Sequence, residues 1–229
     1  MHGLFFIGTD TAVGKTRVAA MAARDLLRQG VRVGAYKPAA SGVDHNGRWS
    51  DVDILKKAIG DEFPDRRICP QCFDAPLAPP EAARQQGQQV DQQLLTAGAL
   101  WWNDQVDLLV VEGVGGLLCP LTDTLTVADL ASELGWPVVI VARNQLGTIN
   151  HTLLTLEAAR NRDLAVAGIV LNQPTPPDPN DQSTATNART IARLGHVDVL
   201  GQLDYQAADL LPLDDTATID WSTLADHAG

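Results

Sequence analysis

The sequence predicts an α/β protein, a single domain built on a doubly wound, mostly parallel sheet. Three observations support this prediction. Short, nearly continuous apolar runs recur along the chain, helical patterns lie between them, and 229 residues suffice for one sizeable core. Apolar runs of this kind are typical of strands buried on both faces. Because strands that alternate with helices form parallel sheets, we expect one domain over residues 1–229.

The apolar runs predict strands over residues 4–8, 31–36, 106–112, 137–142, 165–172 and 197–203. Helical patterns lie between them, over residues 15–29, 91–104, 126–134, 149–162 and 183–194. The first helix is rich in Ala and Leu and ends before Gly30, a residue type that is favoured just after a helix. Residues 42–90 are predicted to form a long insertion with several prolines, and residues 174–181 an exposed loop.

Composition and charge restrict the function. Hydrophobic residues make up 45% and charged residues 20% of the chain, as in ordinary globular proteins. A net charge of −11, from 17 basic and 28 acidic residues, argues against binding to nucleic acid or to an anionic membrane. No apolar run is long enough to span a bilayer, and the N-terminus is predicted as a strand rather than a signal peptide. Three cysteines do not form a secreted disulfide framework, so we expect a cytoplasmic protein.

The stretch GTDTAVGKT, residues 8–16, is similar to the phosphate-binding P-loop G-x-x-x-x-G-K-[ST]. The spacing differs, because five residues instead of four separate Gly8 from Gly14. The context is that of a P-loop, since a predicted strand precedes the stretch and a predicted helix follows it. We therefore interpret it as a P-loop with one extra residue.

A loop of this type suits an anionic ligand. Backbone N–H groups of the loop and of the first helical turn face the anion, and the helix dipole adds to the attraction. We expect Lys15 to reach the outer phosphates of a nucleotide and the Thr16 hydroxyl to bind Mg²⁺. Thr9, Asp10 and Thr11 stand where such loops usually have glycines. Their polar side chains suggest a second, polar substrate beside the terminal phosphate.

Acidic side chains near the loop are candidate metal ligands. Glu112 ends a buried strand and precedes the stretch GVGG, which we interpret as a turn that approaches a ligand closely. Ligands of open α/β sheets bind at this edge, so Glu112 is predicted to hold Mg²⁺; the alternative is a solvent-exposed strand end. Asp51 and Asp53 offer further carboxylates, although Asp51 also suits a helix N-cap.

Other polar residues allow more than one interpretation. Lys37 and Ser41 follow the second strand, on the edge of the sheet that carries the loop, yet a lysine at a strand end is normally a solvated charge. Cys69 and Cys72 form a C-x-x-C without the two further ligands of a zinc site, and we interpret them as incidental thiols. His151 stands near a predicted helix start, where a polar first-turn residue and a functional residue are equally consistent with the sequence.

These stretches resemble one known family. Five stretches stand in the order found in dethiobiotin synthetases: GTDTAVGKT at residues 8–16, YKPAASG at 36–42, Ser-Asp at 50–51, VEGVGG at 111–116 and LGTINHTLLT at 146–155. The first and fourth stretches are shared with wider P-loop relatives, whereas YKP-ASG and LG-INH are more specific. The resemblance covers most of the chain, from residue 3 to about residue 205, and the G-x5-G-K-T spacing is a trait of this family.

The resemblance implies an ATP- and Mg²⁺-dependent reaction of biotin biosynthesis on a fold of the P-loop NTPase type. 7,8-Diaminopelargonate and CO₂, supplied as bicarbonate, would form the cyclic urea dethiobiotin, with ADP and phosphate as further products. Phosphorylation of a carbamate oxygen provides a good leaving group, and the second amine then closes the ring intramolecularly. An enzyme for this reaction holds ATP, metal and diamine together and offsets charge on the transferred phosphoryl group.

The resemblance also implies roles for individual residues. Lys15 and Lys37 would flank the carbamate and the γ-phosphate as catalytic residues, and Asn172 would contact the adenine. The nucleotide would be held by Thr11, Ala12, Val13, Gly14, Lys15, Thr16, Asp51, Glu112, Gly113, Gly115 and Asn172, with Mg²⁺ on Thr16, Asp51 and Glu112. The diamine and carbamate would contact Thr11, Lys37 and Ser41. The family's enzymes are homodimers in which a helix start, here Gly147 to Asn150, receives the carboxylate of the substrate bound to the partner.

Departures from the family pattern are few, and three rival classes fit less well. Pro80 and Glu81 stand where the family often has Pro-His, and Asp204 stands where it usually has a proline near the adenine, so we assign no base contact to residues 204–206. A ligase related to cobyrinic acid synthetases would need a glutaminase domain. A partitioning ATPase would need an early loop lysine where Thr9 stands, and a GTPase would need N-K-x-D instead of LNQP.

Overall fold

The computed structural model describes residues 1–213 and 218–226. Its strands are β1 (His2–Gly8), β2 (Val33–Tyr36), β3 (Ala40–Ser41), β4 (Cys72–Phe73), β5 (Leu108–Gly116), β6 (Val138–Arg143), β7 (Val166–Asn172), β8 (Val199–Leu203) and β9 (Leu211–Pro212). Its helices are α1 (Lys15–Arg28), α2 (Ser50–Ala58), α3 (Asp65–Ile68), α4 (Pro79–Gln85), α5 (Gln92–Leu100), α6 (Val127–Leu134), α7 (Thr148–Arg160), α8 (Thr184–Gly195) and α9 (Trp221–Asp226), with a 3₁₀-helix over Trp101–Asp104. Residues 214–217 and 227–229, which the single-domain prediction includes, lie outside the described residues.

The main sheet has seven strands within the described ranges, in the order β2-β5-β1-β6-β7-β8-β9. Neighbouring strands are parallel except β8 and β9, which pair antiparallel. The chain moves from β1 to β2 in one direction along the sheet and from β5 through β8 in the other. Because crossovers of this kind are right-handed, opposite directions place helices on both faces of the sheet. The structure thus confirms the predicted α/β class with a doubly wound, mostly parallel sheet.

The central strands form the core. Residues 4–7 of β1 and 138–142 of β6 are fully buried, as their uninterrupted apolar sequences require. Helix α1 packs on this layer through buried alanines over residues 19–23, whose small side chains allow a close approach. Burial of each large apolar side chain stabilises the fold by about 1.5–3 kcal/mol. This packed layer fixes the positions of the strand ends, where the candidate site lies.

Several predicted boundaries are corrected. Strand 31–36 begins only at Val33, strand 106–112 at Leu108, and helix 91–104 is divided into α5 and the 3₁₀-helix. The stretch GVGG is not a turn, because β5 continues through it to Gly116. Glycine is required there by packing, since a Cβ atom on Gly113 would stand 2.9 Å from Val127 Cγ1 of helix α6.

The predicted insertion, residues 42–90, contains helices α2, α3 and α4. It also contributes β4, which pairs in parallel with β3 in a small second sheet. Strands of two residues have no periodicity, so the sequence did not predict this sheet. The residue that caps α2 is Trp49, and Asp51 lies inside the first turn, so the N-cap interpretation of Asp51 is wrong.

The last described helix, α9, was not predicted from the sequence pattern. Its Trp221 is fully buried and lies against Phe6 of β1, with ring centroids 5.8 Å apart. This contact anchors the C-terminal segment to the central strand. Within the described ranges, the helices are all too short or too polar to cross a membrane.

Candidate active site

An open cleft of about 710 Å³ lies at the carboxyl ends of β1, β2 and β5. Most of the residues predicted for the site line this cleft, namely Thr11, Ala12, Gly14, Lys15, Thr16, Lys37, Ser41, Asp51, Glu112 and Gly115. The parallel sheet explains the convergence, because residues that follow neighbouring parallel strands meet at the same edge. The exception is Asp51, which the insertion brings to this edge on α2.

The phosphate loop joins β1 to α1. Gly14 precedes the helix in the left-handed conformation, with φ 94°, and Lys15 is the first helical residue. Ala12 also has a positive φ, of 56°. The Lys15 side chain is almost completely buried, and its Nζ donates to the Asp10 carbonyl, 3.2 Å away across the loop. A helix N-terminus behind such a loop is an anion-binding geometry, as predicted for this stretch.

Lys37, Asp51, Glu112 and Thr16 form a connected polar cluster on the floor of the cleft. Lys37 Nζ lies 2.8 Å from Glu112 Oε1 and 2.9 Å from Asp51 Oδ2. Thr16 Oγ1 lies 2.8 Å from the same Glu112 oxygen and 2.9 Å from Asp51 Oδ1. Lys37 is 3% and Glu112 1% exposed. The interpretations of Lys37 as a solvated charge and of Glu112 as an exposed strand end are therefore wrong.

Burial and mutual charge shift the pKa values in this cluster. Burial alone would lower the pKa of Lys37, but the carboxylates of Glu112 and Asp51 outweigh it and raise this pKa, so Lys37 is an ammonium ion. Burial raises the pKa of Glu112, and the charge of Lys37 opposes this rise only in part. Burial also opposes ionisation of Asp51, but Lys37 and Thr16 stabilise the carboxylate and lower its pKa. For Lys15, burial dominates and lowers the pKa.

The donor set suits a magnesium ion shared with a nucleotide. Two carboxylates and a hydroxyl are hard oxygen ligands, and Mg²⁺ at nucleotide sites is usually held by one or two carboxylates together with phosphates. Glu112 Oε2 is buried and has no hydrogen-bond partner among the described residues, so this carboxylate retains an available oxygen. Within residues 1–213 and 218–226, no three His, Cys, Asp or Glu side chains are grouped to hold a metal by themselves.

Val13, Gly113 and Asn172, which were predicted to bind nucleotide, are buried beside the cleft and are not among its lining residues. Asn172 is the last residue of β7 and is fully buried. Its Nδ2 donates to the Val13 carbonyl at 2.7 Å, and its Oδ1 has no partner among the described residues. Asn172 thus contacts the phosphate loop itself.

Gly147 and Asn150 lie at the start of α7, where both are exposed and outside the cleft. His151, in the first turn of α7, is also exposed and borders a small crevice of about 60 Å³ beside the phosphate loop. Cys69 and Cys72 are free thiols in the segment before and within β4. In the part of the chain that the structure describes, the side-chain contacts of the cluster around Lys37 join Lys37, Thr16, Asp51 and Glu112, and none of the five residues above takes part in them.

The cleft has further lining residues that the sequence did not indicate: Arg17, Ile54, Pro76, Leu77, Ala78, Val114 and Cys119. Arg17 donates to the carbonyls of Asp204 and Ala207, and so ties α1 to the segment after β8. Asp53, the alternative metal ligand, instead faces Arg48 at 3.6 Å. Most of the apolar lining comes from the insertion, where no motif marks a site.

A phosphate loop follows the central strand, and the buried Lys15, Lys37 and Glu112 lie at the same sheet edge with Asp51. These features define a nucleotide-binding P-loop enzyme. The family described as AAA domain matches residues 2–208. An ATP-dependent dethiobiotin synthetase BioD from Anaeromyxobacter dehalogenans is 47% identical over 206 residues, which cover 90% of this chain and 91% of that protein. The protein of the same name from Bacillus subtilis is 37% identical over 88% of this chain and 86% of its own length.

The chain belongs to the ATP-dependent dethiobiotin synthetase family and is an ATP-dependent ligase. These relationships support a role in biotin biosynthesis. Among solved structures, FtsY from Mycoplasma mycoides has a similar fold, with a TM-score of 0.52 and 17% identity. The similarity covers 93% of this chain but only 64% of FtsY, less than two thirds of that chain, and it concerns the fold alone.

Proposed function

We propose that the chain, as a single domain, carboxylates 7,8-diaminopelargonate with CO₂ and closes the ring to dethiobiotin. The reaction would consume ATP with Mg²⁺ and release ADP and phosphate. The observation that carries this proposal is the cluster of Lys37, Asp51, Glu112 and Thr16 beside the phosphate-loop residue Lys15, in a member of this ligase family. Its buried cations and hard oxygen ligands suit phosphoryl transfer to a small acid.

The two lysines are assigned to the transferred phosphoryl group. The substrate's carbamate oxygen attacks the γ-phosphorus, the bond to ADP breaks, and charge accumulates on the phosphoryl oxygens. Lys15, at the helix N-terminus, and Lys37, on the cleft floor, both line the cleft and would offer positive charge to this group. Preorganised charges in a buried site stabilise such a transition state more than they would in water. The free amine then attacks the carbamate carbon, and phosphate leaves with the bonding electron pair.

Thr16, Asp51 and Glu112 would hold the magnesium ion, which when bound neutralises phosphate charge and orients the phosphates. Lys37 now occupies the place between the two carboxylates, at 2.8 and 2.9 Å from them. A second cation among these oxygens would weaken the hold of Glu112 and Asp51 on the Lys37 ammonium group. Lys37 would then be available to the anionic substrate.

Two polar residues of the cleft are assigned to the diamine and its carbamate. Thr11 stands in the phosphate loop and Ser41 at the end of β3, and both line the cleft with Lys37. Hydroxyl groups suit this task because they donate to a carbamate oxygen or accept from an amine. Asn172 is assigned to the adenine through its Oδ1, the amide atom without a partner among the described residues, although a base would have to open its fully buried surroundings.

A homodimer would complete the site. The start of α7 has Gly147 and Asn150 exposed, and Leu146 beside them is 79% exposed. This helix start does not line the cleft of its own chain, which supports a role at the substrate of a neighbouring subunit. Its N–H groups would bind the carboxylate end of the diamine. The free state of all three cysteines agrees with the further proposal that the enzyme acts in the cytoplasm.

The test is whether ATP turnover depends on both other substrates. Release of ADP is measured with the diamine and bicarbonate together, and with each omitted, and Lys15→Ala serves as the inactive control. The proposal predicts rapid ADP release only with the complete mixture. ADP release at the same rate without the diamine would refute the proposal and would indicate an ATPase without a second substrate.

A further inference from the structure

The phosphate loop has a backbone conformation that its own sequence does not favour. Ala12 has φ 56°, in the left-handed region that is unfavourable for residues other than glycine by about 1–2 kcal/mol. The extra residue between Gly8 and Gly14 enlarges the loop. Contacts of the loop with its surroundings therefore have to help stabilise this conformation in the absence of a ligand, beyond the local contact of Lys15 with the Asp10 carbonyl.

Two side chains hold successive carbonyl groups of this loop. Arg143 Nη2 donates to the Ala12 carbonyl at 3.2 Å, and Asn172 Nδ2 donates to the Val13 carbonyl at 2.7 Å. Both donors stand at the ends of adjacent strands, β6 and β7, where Arg143 and Asn172 are paired in the sheet register. The donors are thus fixed to each other and to the rigid sheet.

The side chain of Asn172 also restricts which residue type can occupy position 14, just before helix α1. A Cβ atom on Gly14 would overlap the Asn172 amide, so the amide fills the space beside this glycine. The Asn172 carbonyl accepts from the backbone N–H of Asn144, which fixes the strand end further. The contact between Asn172 and the loop is therefore part of the packed interior.

Fixing the two carbonyls also directs the N–H groups. In a trans peptide unit the N–H points opposite to the C=O, so carbonyls held toward the strand ends turn the N–H groups of Val13 and Gly14 away from them. Neither N–H has a backbone acceptor among the described residues. They are left free for an anion, as in a phosphate nest.

We propose that Arg143 is a positioning residue of the phosphate loop, which with Asn172 holds the loop open for phosphate before the nucleotide arrives. The inference rests on the proposed function, because it concerns the site that binds ATP. It assigns to Arg143 a contact with the protein and none with the ligand. Arg143 is a better residue for a test than the fully buried Asn172, because Arg143 is only partly buried and its replacement should leave the core intact.

The experiment compares Arg143→Ala with wild type by two measurements. Without ligand, hydrogen–deuterium exchange of peptides that cover residues 9–14 reports the order of the loop. With ligand, calorimetry reports the affinity for ADP. We expect faster exchange in residues 9–14 and an ADP affinity lower by about 10-fold, the effect of one lost hydrogen bond that orders a charged site. Arg143→Lys, which keeps a hydrogen-bond donor, should recover part of the slow exchange and part of the ADP affinity of wild type.

Arg160→Ala is the matched control. Like Arg143, Arg160 donates through its Nη2 to a backbone carbonyl, that of His196 at 3.0 Å, but it is exposed and contacts a segment outside the loop. The variant Arg160→Ala should change neither the exchange of residues 9–14 nor the affinity for ADP. Equal effects of Arg143→Ala and Arg160→Ala on these two quantities would overturn the proposal.

The remaining outcomes are equally decisive. Weaker ADP binding with unchanged exchange would mean that Arg143 contacts the ligand directly, which contradicts a positioning role. Faster exchange with unchanged affinity, or no change in either, would also overturn it. If the wild-type protein itself does not bind ADP, the proposed function is refuted. That result differs from equal ADP binding by wild type and Arg143→Ala, which refutes only the positioning role of Arg143.

Discussion

Lys37 is a buried ammonium ion between two carboxylates, in surroundings that an ordinary strand-end lysine never has. Glu112 and Asp51 both lie within 3 Å of its Nζ. A buried pair of this kind contributes little net stability when intact, but loss of one partner leaves a buried charge without compensation. Lys37 is therefore both a structural counter-ion and, in the proposed mechanism, a catalytic cation.

We predict that Lys37→Gln lowers turnover by about 10²–10³-fold, the usual effect of losing one preorganised donor. The free energy of unfolding should also fall, by about 3 kcal/mol, because Glu112 and Asp51 lose their cation. ADP affinity should change less than turnover does, because the main interaction of Lys37 forms with the reacting groups. Steady-state kinetics, denaturant titration and calorimetry measure these three effects.

Lys56→Gln provides the control for this prediction. Lys56 also bridges two aspartates, Asp61 at 3.3 Å and Asp65 at 2.7 Å, but it does so in solvent. Its loss should leave turnover unchanged and affect stability far less than Lys37→Gln. Turnover of Lys37→Gln within a few-fold of wild type would exclude Lys37 from catalysis.

A second prediction concerns the two carboxylates. Glu112→Gln and Asp51→Asn should each raise the Mg²⁺ concentration needed for half-maximal turnover, because an amide is a weaker ligand for Mg²⁺ than a carboxylate. Asp53→Asn is the matched control, since Asp53 lies on the same helix turn as Asp51 but faces Arg48. A Mg²⁺ dependence altered by Asp53→Asn and unaltered by Asp51→Asn would reverse the assignment.

The sequence predicted most of the polar residues that line the cleft because motifs and strand ends mark them. Lys15, Thr16 and Glu112 stand at positions that any parallel sheet brings to one edge. Arg143 and Arg17 were missed, since each acts on a backbone carbonyl of a distant segment and no residue pattern records such a contact. The burial of Lys37 was also beyond the sequence, because it depends on tertiary packing, in which helices α2 and α3 of the insertion contact β2.

Among the elements, the phosphate loop depends most on a single backbone conformation. Gly14 combines φ 94° with a position beside the Asn172 amide. We predict that Gly14→Ala destabilises the fold and abolishes ADP binding, since alanine meets both an unfavourable φ and a steric overlap. Denaturant titration and calorimetry with ADP test this expectation.

Gly30→Ala is the appropriate comparison. Gly30 has a similar φ of 85°, but a Cβ atom there would meet nothing within 4 Å. The variant should lose only about 1–2 kcal/mol of unfolding free energy and keep its ADP affinity. Equal ADP binding by Gly14→Ala and Gly30→Ala would show that the loop tolerates a side chain at Gly14.

Long elements were predictable and short ones were not. Apolar runs such as residues 4–8 and 165–172 correctly indicated β1 and β7, because burial on both faces leaves a strong signal. The two-residue strands β3 and β4 leave none. The stretch GVGG was misread as a turn because glycine usually indicates one, whereas here close packing against α6 requires it within a strand.

For the whole molecule, the fold class and the P-loop context followed from the alternation of strands and helices. The proposed dimer did not follow from the fold, and it requires a test of its own. We predict that inactive Lys15→Ala and inactive Asn150→Ala chains regain activity when mixed. A heterodimer of the two contains one site with both an intact Lys15 and an intact Asn150.

Recovered activity should approach the fraction of sites that are intact in the mixture, as measured by steady-state turnover. Subunit exchange is first verified by native mass spectrometry of differently tagged chains. Heterodimers that form but remain inactive would contradict the assignment of Asn150 to the partner's site.

The central claim is that this ligase builds a cyclic urea from a diamine and CO₂ at the expense of ATP. The most direct measurement is mass spectrometry of the product made from the diamine, ATP, Mg²⁺ and carbon-13 bicarbonate, together with the ADP released. The account predicts dethiobiotin with the label in its ring carbonyl, in equal amount to ADP, and no cyclic product from an analogue that lacks one amine. ADP release without labelled dethiobiotin would contradict it.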